Sequence, residues 1–280
     1  MKKPLLYRIV VIVLVILMLV FVLFPVFWML STSFKAAGEV YSNPPGYIPK
    51  EPNLRGYVKL LTEKSNSFNF LIWAKNSLIV ALCTTLFSMA IAALGGFGLS
   101  RFRFRGRKGI MYTILMTQVL PGSLLIVPLY TIMSSLKLLD TTLGLVLANV
   151  TFAVPFCTWT MKGFFDSIPA SLDEAARVDG AGRWVTFLHI VLPLTVPGLV
   201  ATCIFSFITG WNEYLFASIF MRTYSKWTLP VGISSFQGQY GTDWPTIMAG
   251  AFMITIPVVF VFLVLQKYLV SGMTAGAVKQ

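Results

Sequence analysis

The sequence predicts an all-α integral membrane protein. It has six transmembrane helices, both termini on the cytoplasmic side, and a cytoplasmic helix-turn-helix loop between the fourth and fifth spans. Three observations carry this. First, six apolar runs, 9–30, 77–99, 109–136, 141–161, 198–221 and 244–266, make up 141 of the 280 residues. Each holds at least the roughly 20 residues that cross a 30 Å hydrocarbon core as a helix. Second, of the 32 charged residues only Glu213 lies inside a run, although the chain as a whole is 11% charged. Third, the runs are continuously apolar, whereas barrel strands would alternate. Together these exclude a soluble enzyme, a disordered tail and a nucleic-acid-binding domain, despite the net charge of +12.

The first run follows Lys2, Lys3 and Arg8. It is longer than a signal-peptide core and is followed by no A-x-A site, so it reads as a retained helix. With the N-terminus inside, the cytoplasmic segments collect thirteen basic residues: Lys2, Lys3, Arg8, Arg101, Arg103, Arg105, Arg107, Lys108, Lys162, Arg177, Arg183, Lys267 and Lys279. The short outer loops hold only Lys137, Arg222 and Lys226. This asymmetry sets the expected orientation.

The long outer segment 31–76 carries Pro44, Pro45, Pro49 and Pro52, an extended stretch. Asn53 then caps a short amphipathic helix bearing Leu54, Tyr57, Val58, Leu60 and Leu61. The second span ends Leu94-Gly95-Gly96-Phe97-Gly98, where glycines permit close helix approach. The basic loop 101–108 is a topology anchor; attraction to anionic lipid or a nucleic acid is the lesser reading. Pro121, Pro128, Pro155 and Pro257 bend the spans that hold them. Cys83, Cys157 and Cys203 behave as small apolar residues, with no metal or disulfide spacing.

The inside connection 162–197 is the anomaly. It concentrates four of the ten acids, Asp166, Asp173, Glu174 and Asp179, where helix-to-helix links commonly need only about 2–8 residues. Pro169 stands near a helix start, and Ser171-Leu172-Asp173-Glu174 fits a capping box. Gly180 or Gly182 can end that helix. Trp184, Phe187, Leu188, Val191 and Leu192 then form a second apolar face, broken by Pro193 and Pro197. Two short helices joined by a glycine elbow suit a docking knob whose acidic first helix meets a partner.

Glu174-Ala175-Ala176, three residues, Gly180, nine residues, Ile190, one residue and Leu192-Pro193 match the E-A-A-x3-G-x9-I-x-L-P signature. At ordinary residue frequencies a chance match is of order 10⁻⁸ per start. The chain therefore resembles the permease subunits of binding-protein-dependent ABC importers. Its six-span layout, Arg101-Phe102-Arg103-Phe104-Arg105-Gly106-Arg107, Trp211-Asn212-Glu213-Tyr214 and the tail Gly272–Lys279 resemble the smaller permease of the maltose-type, carbohydrate-uptake subfamily.

The resemblance implies one importer transmembrane domain over 1–280, with loop 166–193 seated in a cleft of an ATP-binding subunit. Asp173, Glu174, Ala175, Ala176, Arg177, Asp179, Gly180, Ile190, Leu192 and Pro193 are then the coupling residues. Glu174 either caps its own helix or pairs with an arginine of the partner. The implied partners are a second homologous permease, two ATP-binding cassette subunits carrying ATP and magnesium, an extracytoplasmic solute-binding protein, a sugar or related polyol, and membrane lipid. The setting is a bacterial or archaeal cytoplasmic membrane.

No G-x-x-x-x-G-K-[ST] occurs, and the sole His189 has no nucleophile at readable spacing, so the chain is expected to bind no cofactor and to hydrolyse nothing itself. Trp211, Asn212, Glu213 and Tyr214 offer a ring, an amide and a carboxylate to a neutral polyol and so can line a translocation path. The rival reading pairs Glu213 with a basic residue of the second permease. A self-contained ion-coupled transporter predicts several intramembrane charges and inverted repeats, and a membrane-embedded enzyme predicts clustered His, Asp and Glu. The sequence offers neither pattern.

Overall fold

The computed structural model describes residues 5–64, 68–238 and 241–277. Lys2, Lys3, Val278 and Lys279, which figure in the orientation and tail readings above, lie outside them. Among the described residues five helical segments are long and apolar enough to cross a bilayer, and the number is six if a pair of helices bent by 97° is counted as one span. The chain gathers into two compact units. One comprises Met1–Phe70 and Gly232–Pro257, the other Leu71–Val231 and Val258–Gln280.

The first unit opens with α1 (Leu5–Ser33), whose most apolar window has no buried residue, followed by a proline-rich loop and α2 (Arg55–Thr62). The Oδ1 of Asn53 accepts the Arg55 amide at 3.2 Å, but Leu54 stands at the N-cap and no side chain caps the helix, so the expected Asn53 cap gives way to a local turn just ahead of α2. Leu60 is fully buried, while Leu54, Val58 and Leu61 stay exposed. Lys35 is 3% exposed; its Nζ donates to the Gly46 carbonyl at 2.6 Å and lies 4.5 Å from the Trp28 ring centre. A two-residue ladder, β1 (Gln237–Gly238) with β2 (Gly241–Thr242), precedes α13 (Trp244–Ala277). Lys59 pairs with Asp243 at 3.0 Å.

The second unit contains most of α3 (Phe70–Arg101), then α4 (Arg107–Thr117) and α5 (Ile126–Ser135). Here the continuous third span read from the sequence gives way to two helices bent by 97°. The reason lies at Pro121, which has no N–H to donate to Thr117 and stands just past the end of α4. Thr141 caps α6 (Thr142–Ser167), its Oγ1 accepting the Gly144 amide at 3.1 Å. Next come α7 (Ser171–Val178), α8 (Arg183–Val185), a π-helical turn at Thr186–Val191, α9 (Leu192–Leu194) and α10 (Val196–Trp211). Up to Val231 the unit adds α11 (Leu215–Phe220) and the start of α12 (Leu229–Ser234), and from Val258 it takes the rest of α13.

Two apolar cores organise this unit. One joins Val80, Met133, Leu145, Val146, Phe216 and Phe220. The other joins Ala92, Ala93, Cys157, Met161, Phe165, Ile168, Phe187 and Val191, and so lies directly beneath the loop 166–193. The glycine reading of the second span holds at one position. A Cβ on Gly96 would stand 2.9 Å from the Lys162 amide nitrogen, so α3 and α6 approach almost backbone to backbone there.

Candidate functional site

The segment 166–193 is built from α7, a glycine elbow and the α8–π–α9 run. The elbow follows its sequence closely. The Ala181 amide donates to the Ala176 carbonyl at 2.8 Å and the Gly180 amide to Arg177 at 3.0 Å. That is the Schellman pattern, and it needs a left-handed residue at Gly180, whose φ is +81°. Gly180, not Gly182, is therefore the residue that ends α7. Gly182 instead precedes α8, its carbonyl accepting the Thr186 amide at 3.0 Å.

The capping box does not form. α7 starts at Ser171 with Ala170 as its cap in a helical conformation, and no side chain closes that end. The chain enters from a tight turn, with the Leu172 amide on the Pro169 carbonyl at 3.2 Å, which leaves Ser171 inside the helix rather than ahead of it. Glu174 is released from that role. Among the described residues its exposed carboxylate meets no hydrogen-bond donor and no cation. Ala175, Arg177, Val178 and Asp179 share its exposure, Val178 at 88%. Ala176 turns inward and is 4% exposed.

Asp173 departs from its neighbours. It is largely buried and its Oδ2 lies 2.8 Å from the Nε of Arg101, the last residue of α3. The approach is off the N–H axis, so the pair attracts by charge without a directional hydrogen bond there. The other face of the guanidinium donates from Nη2 to the Ile168 carbonyl at 3.0 Å. Beside it the Ser100 hydroxyl donates to Asp166 at 2.6 Å, and Lys162 also pairs with Asp166. Ser100 and Arg101 were legible only as a helix end and a topology anchor, because nothing in local spacing ties them to acids 66 and 72 positions away, whereas Lys162 and Asp166 stand at the i,i+4 spacing of a helical pair.

The second apolar face is half right. Phe187 and Val191 are buried, and Leu192 packs on the same core, but Trp184 is 66% and Leu188 48% exposed. The π turn causes this: bonding i to i+5 widens the coil, so a face read at the α period drifts off the core. Pro193, unable to donate to the His189 carbonyl, removes one bond that would hold the tighter coil. Ile190 is half-buried and Pro193 exposed. Phe97 ties the layers together, its ring centre 4.7 Å from that of Phe187 and 5.6 Å from that of Phe165. A cleft of about 320 Å³ opens between the end of α3 and this loop, lined by Arg101, Arg103, Asp173, Glu174, Arg177 and Arg183 among others.

The Trp211–Tyr214 group sits where helix breaks. The apolar run 198–221 is two helices, α10 and α11, separated at Asn212–Tyr214. Trp211 is 3% exposed and stacks on Phe207 at 5.9 Å between ring centres. Asn212 and Tyr214 are exposed. The Oε1 of Glu213 accepts the Phe216 amide at 2.6 Å and the Ala217 amide at 3.4 Å, and so closes the start of α11. That role was invisible while the span was read as unbroken. Among the described residues no group of three or more His, Cys, Asp or Glu stands together as a metal site.

Residues 85–275 match the family model described as the binding-protein-dependent transport system inner membrane component. The diacetylchitobiose uptake system permease protein DasC of Streptomyces coelicolor is 36% identical over 279 residues, covering all of both chains. The trehalose/maltose transport system permease protein MalG of Thermococcus litoralis is 36% identical over 280 residues, covering 100% of this chain and 99% of the relative. Among solved structures, a chain of a bacterial ABC transporter involved in the import of the acidic polysaccharide alginate superposes with a TM-score of 0.78. That match runs at 24% identity over 94% of this chain and 96% of the other, a likeness of fold.

Proposed function

Because the chain belongs to the family of inner-membrane components of binding-protein-dependent transport systems, we propose that it is one permease of an ATP-driven importer of saccharides or related polyols. It is a transport component and not an enzyme. Diacetylchitobiose and trehalose or maltose, the solutes in the relatives' names, set the substrate class. A solute-binding protein delivers the sugar at the outer face. A second permease completes the passage, and two ATP-binding subunits drive it.

One observation supports the coupling role: the freed Glu174 carboxylate is exposed beside Arg177 on a short helix anchored by buried Ala176, with exposed Asp179 at its C-cap. A carboxylate so placed is available for a charge-assisted bond to an arginine of an ATP-binding subunit. Cassette closure then moves the loop, and the bundle alternates between outward and inward openings. Asn212 and Tyr214, both exposed at the break between α10 and α11, are the groups of their quartet that hydrogen-bond the polyol in this reading. Glu213 holds the break open by capping α11.

Co-purification with an affinity-tagged ATP-binding subunit tests the proposal. The wild-type chain should be recovered with a second permease and two such subunits. Glu174→Lys should cut that recovery about tenfold, the loss expected when one buried charge-assisted contact is reversed. A single chain that transports on an ion gradient without ATP would replace this reading with an ion-coupled carrier.

A further inference from the structure

The geometry points to Arg101 and Asp173 as an intrachain pivot that transmits the motion of α7 into α3. Both are positioning residues, and neither is a contact with the ATP-binding subunit. The inference rests on the coupling role proposed above and reassigns one residue of the docking segment.

An eight-residue helix is too short to hold itself together in water, so its orientation must come from outside it. At its C-terminal end α7 is fixed by the Gly180 elbow and by Ala176, which reaches into the core. At its N-terminal end no side chain caps it. What stands there is Asp173, turned away from the docking face and drawn to Arg101 at 2.8 Å, with only 13% and 14% of the two side chains exposed. Each charge also sits at the favourable pole of its own helix, the acid in the first turn of α7 and the base in the last turn of α3.

Arg101 is itself well anchored. Its Nη2 holds the Ile168 carbonyl just past α6, and the adjacent Ser100 holds Asp166 within the last turn of α6. The ends of α3 and α6 are thus locked together, and Arg101 extends from that lock to α7. Since the Nε–Oδ2 approach is close but off-axis, its attraction tolerates tilt of α7 while resisting separation. That combination lets a docking helix rock under a partner without detaching from the span it must move. Glu174, one position on, points outward to the partner; Asp173 points inward to the span.

The test compares Asp173→Asn, Arg101→Gln and the double variant that carries both, each in the assembled importer in proteoliposomes. The readout is labelled maltose or diacetylchitobiose moved per ATP hydrolysed. Both single variants should assemble and hydrolyse ATP within about twofold of wild type yet lose about tenfold in sugar moved per ATP, and the double should lose no more than about tenfold, because both act through one pair. Amide exchange over 171–178 should rise about tenfold in all three and stay unchanged over 142–160 in α6. An unchanged ratio in the singles, a further tenfold loss in the double, or a failure of the singles to assemble overturns the pivot. If the wild-type chain recruits no ATP-binding subunit, the proposed function fails instead. The pivot is then judged by the exchange pattern of the purified full chain in nanodiscs, where unchanged exchange overturns it.

Discussion

At the scale of single residues, Asp140 shows how a charge outside the spans is held by donors that sequence reading cannot assemble. Its Oδ1 accepts the Arg222 and Thr223 amides at 3.0 and 3.1 Å, and its Oδ2 accepts the Thr223 hydroxyl at 2.7 Å and pairs with Lys226 at 3.0 Å. Burial alone would raise its pKa; the Thr223, Lys226 and Arg222 donors override that and lower it from 3.8 to about 2. A depressed carboxylate stabilises the fold above its unfolded pKa and loses that contribution as pH falls through the folded one. Asp140→Asn should therefore lower stability by about 1 kcal/mol near neutral pH, a modest figure for a part-exposed loop. In thermal unfolding the gap between variant and wild type should narrow from about pH 4 and close near pH 2, in step with the lowered pKa. A gap constant across that range would deny Asp140 the role. The donors lie 82 to 86 positions downstream, so the sequence showed only an acid in a short loop.

At the scale of helices, legibility depended on whether the signal was local. The apolar composition of the spans, the αL elbow at Gly180 and the close approach at Gly96 are written in neighbouring residue types, and each is present. Pro121 marked a bend, but its 97° size depends on what surrounds the two halves. The π turn, the inward rotation of Asp173 and the break at Asn212 are set by packing, and a fixed helical period cannot express them. The same distinction makes a prediction within one helix. Gly96 and Gly98 look alike in sequence, yet a Cβ at Gly96 would meet the Lys162 nitrogen and Met161 Cβ at 2.9 Å, whereas one at Gly98 meets nothing within 4 Å. Gly96→Ala must force α3 and α6 apart and should cost about 1–3 kcal/mol, as overpacking does. Gly98→Ala should be neutral or raise stability by up to about 1 kcal/mol through helix propensity. Unfolding midpoints of the two variants in detergent decide it; equal shifts would mean that the α3–α6 contact is looser than described.

At the scale of the whole molecule, the spans divide by what must surround them. The most apolar windows are the least buried: 0% for α1 and 17% for α13, against 39% for α3, 44% for the α10–α11 run and 50% for α6. In lipid, burial adds no hydrophobic gain, since a hydrocarbon neighbour serves as well as a leucine. A helix that faces acyl chains or another subunit must therefore be apolar throughout, while one surrounded by its own chain can carry polar groups. α6 does so: Asn149 is 1% exposed and its Nδ2 donates to the Leu145 carbonyl at 2.9 Å. Insertion of isolated segments should follow that division. Each central aliphatic residue favours insertion by about 0.3–0.6 kcal/mol and a lysine opposes it by about 2.5–3.5 kcal/mol, so α1 should insert efficiently even as Val15→Lys. The segment Thr142–Ser167, with buried Asn149 and Thr158 and charged Lys162 and Asp166, should insert poorly alone and well when the preceding helices are present. A glycosylation-mapped translocon assay reads both outcomes. Efficient insertion of isolated α6 would mean that its polar residues are not held in the bilayer by the rest of the chain.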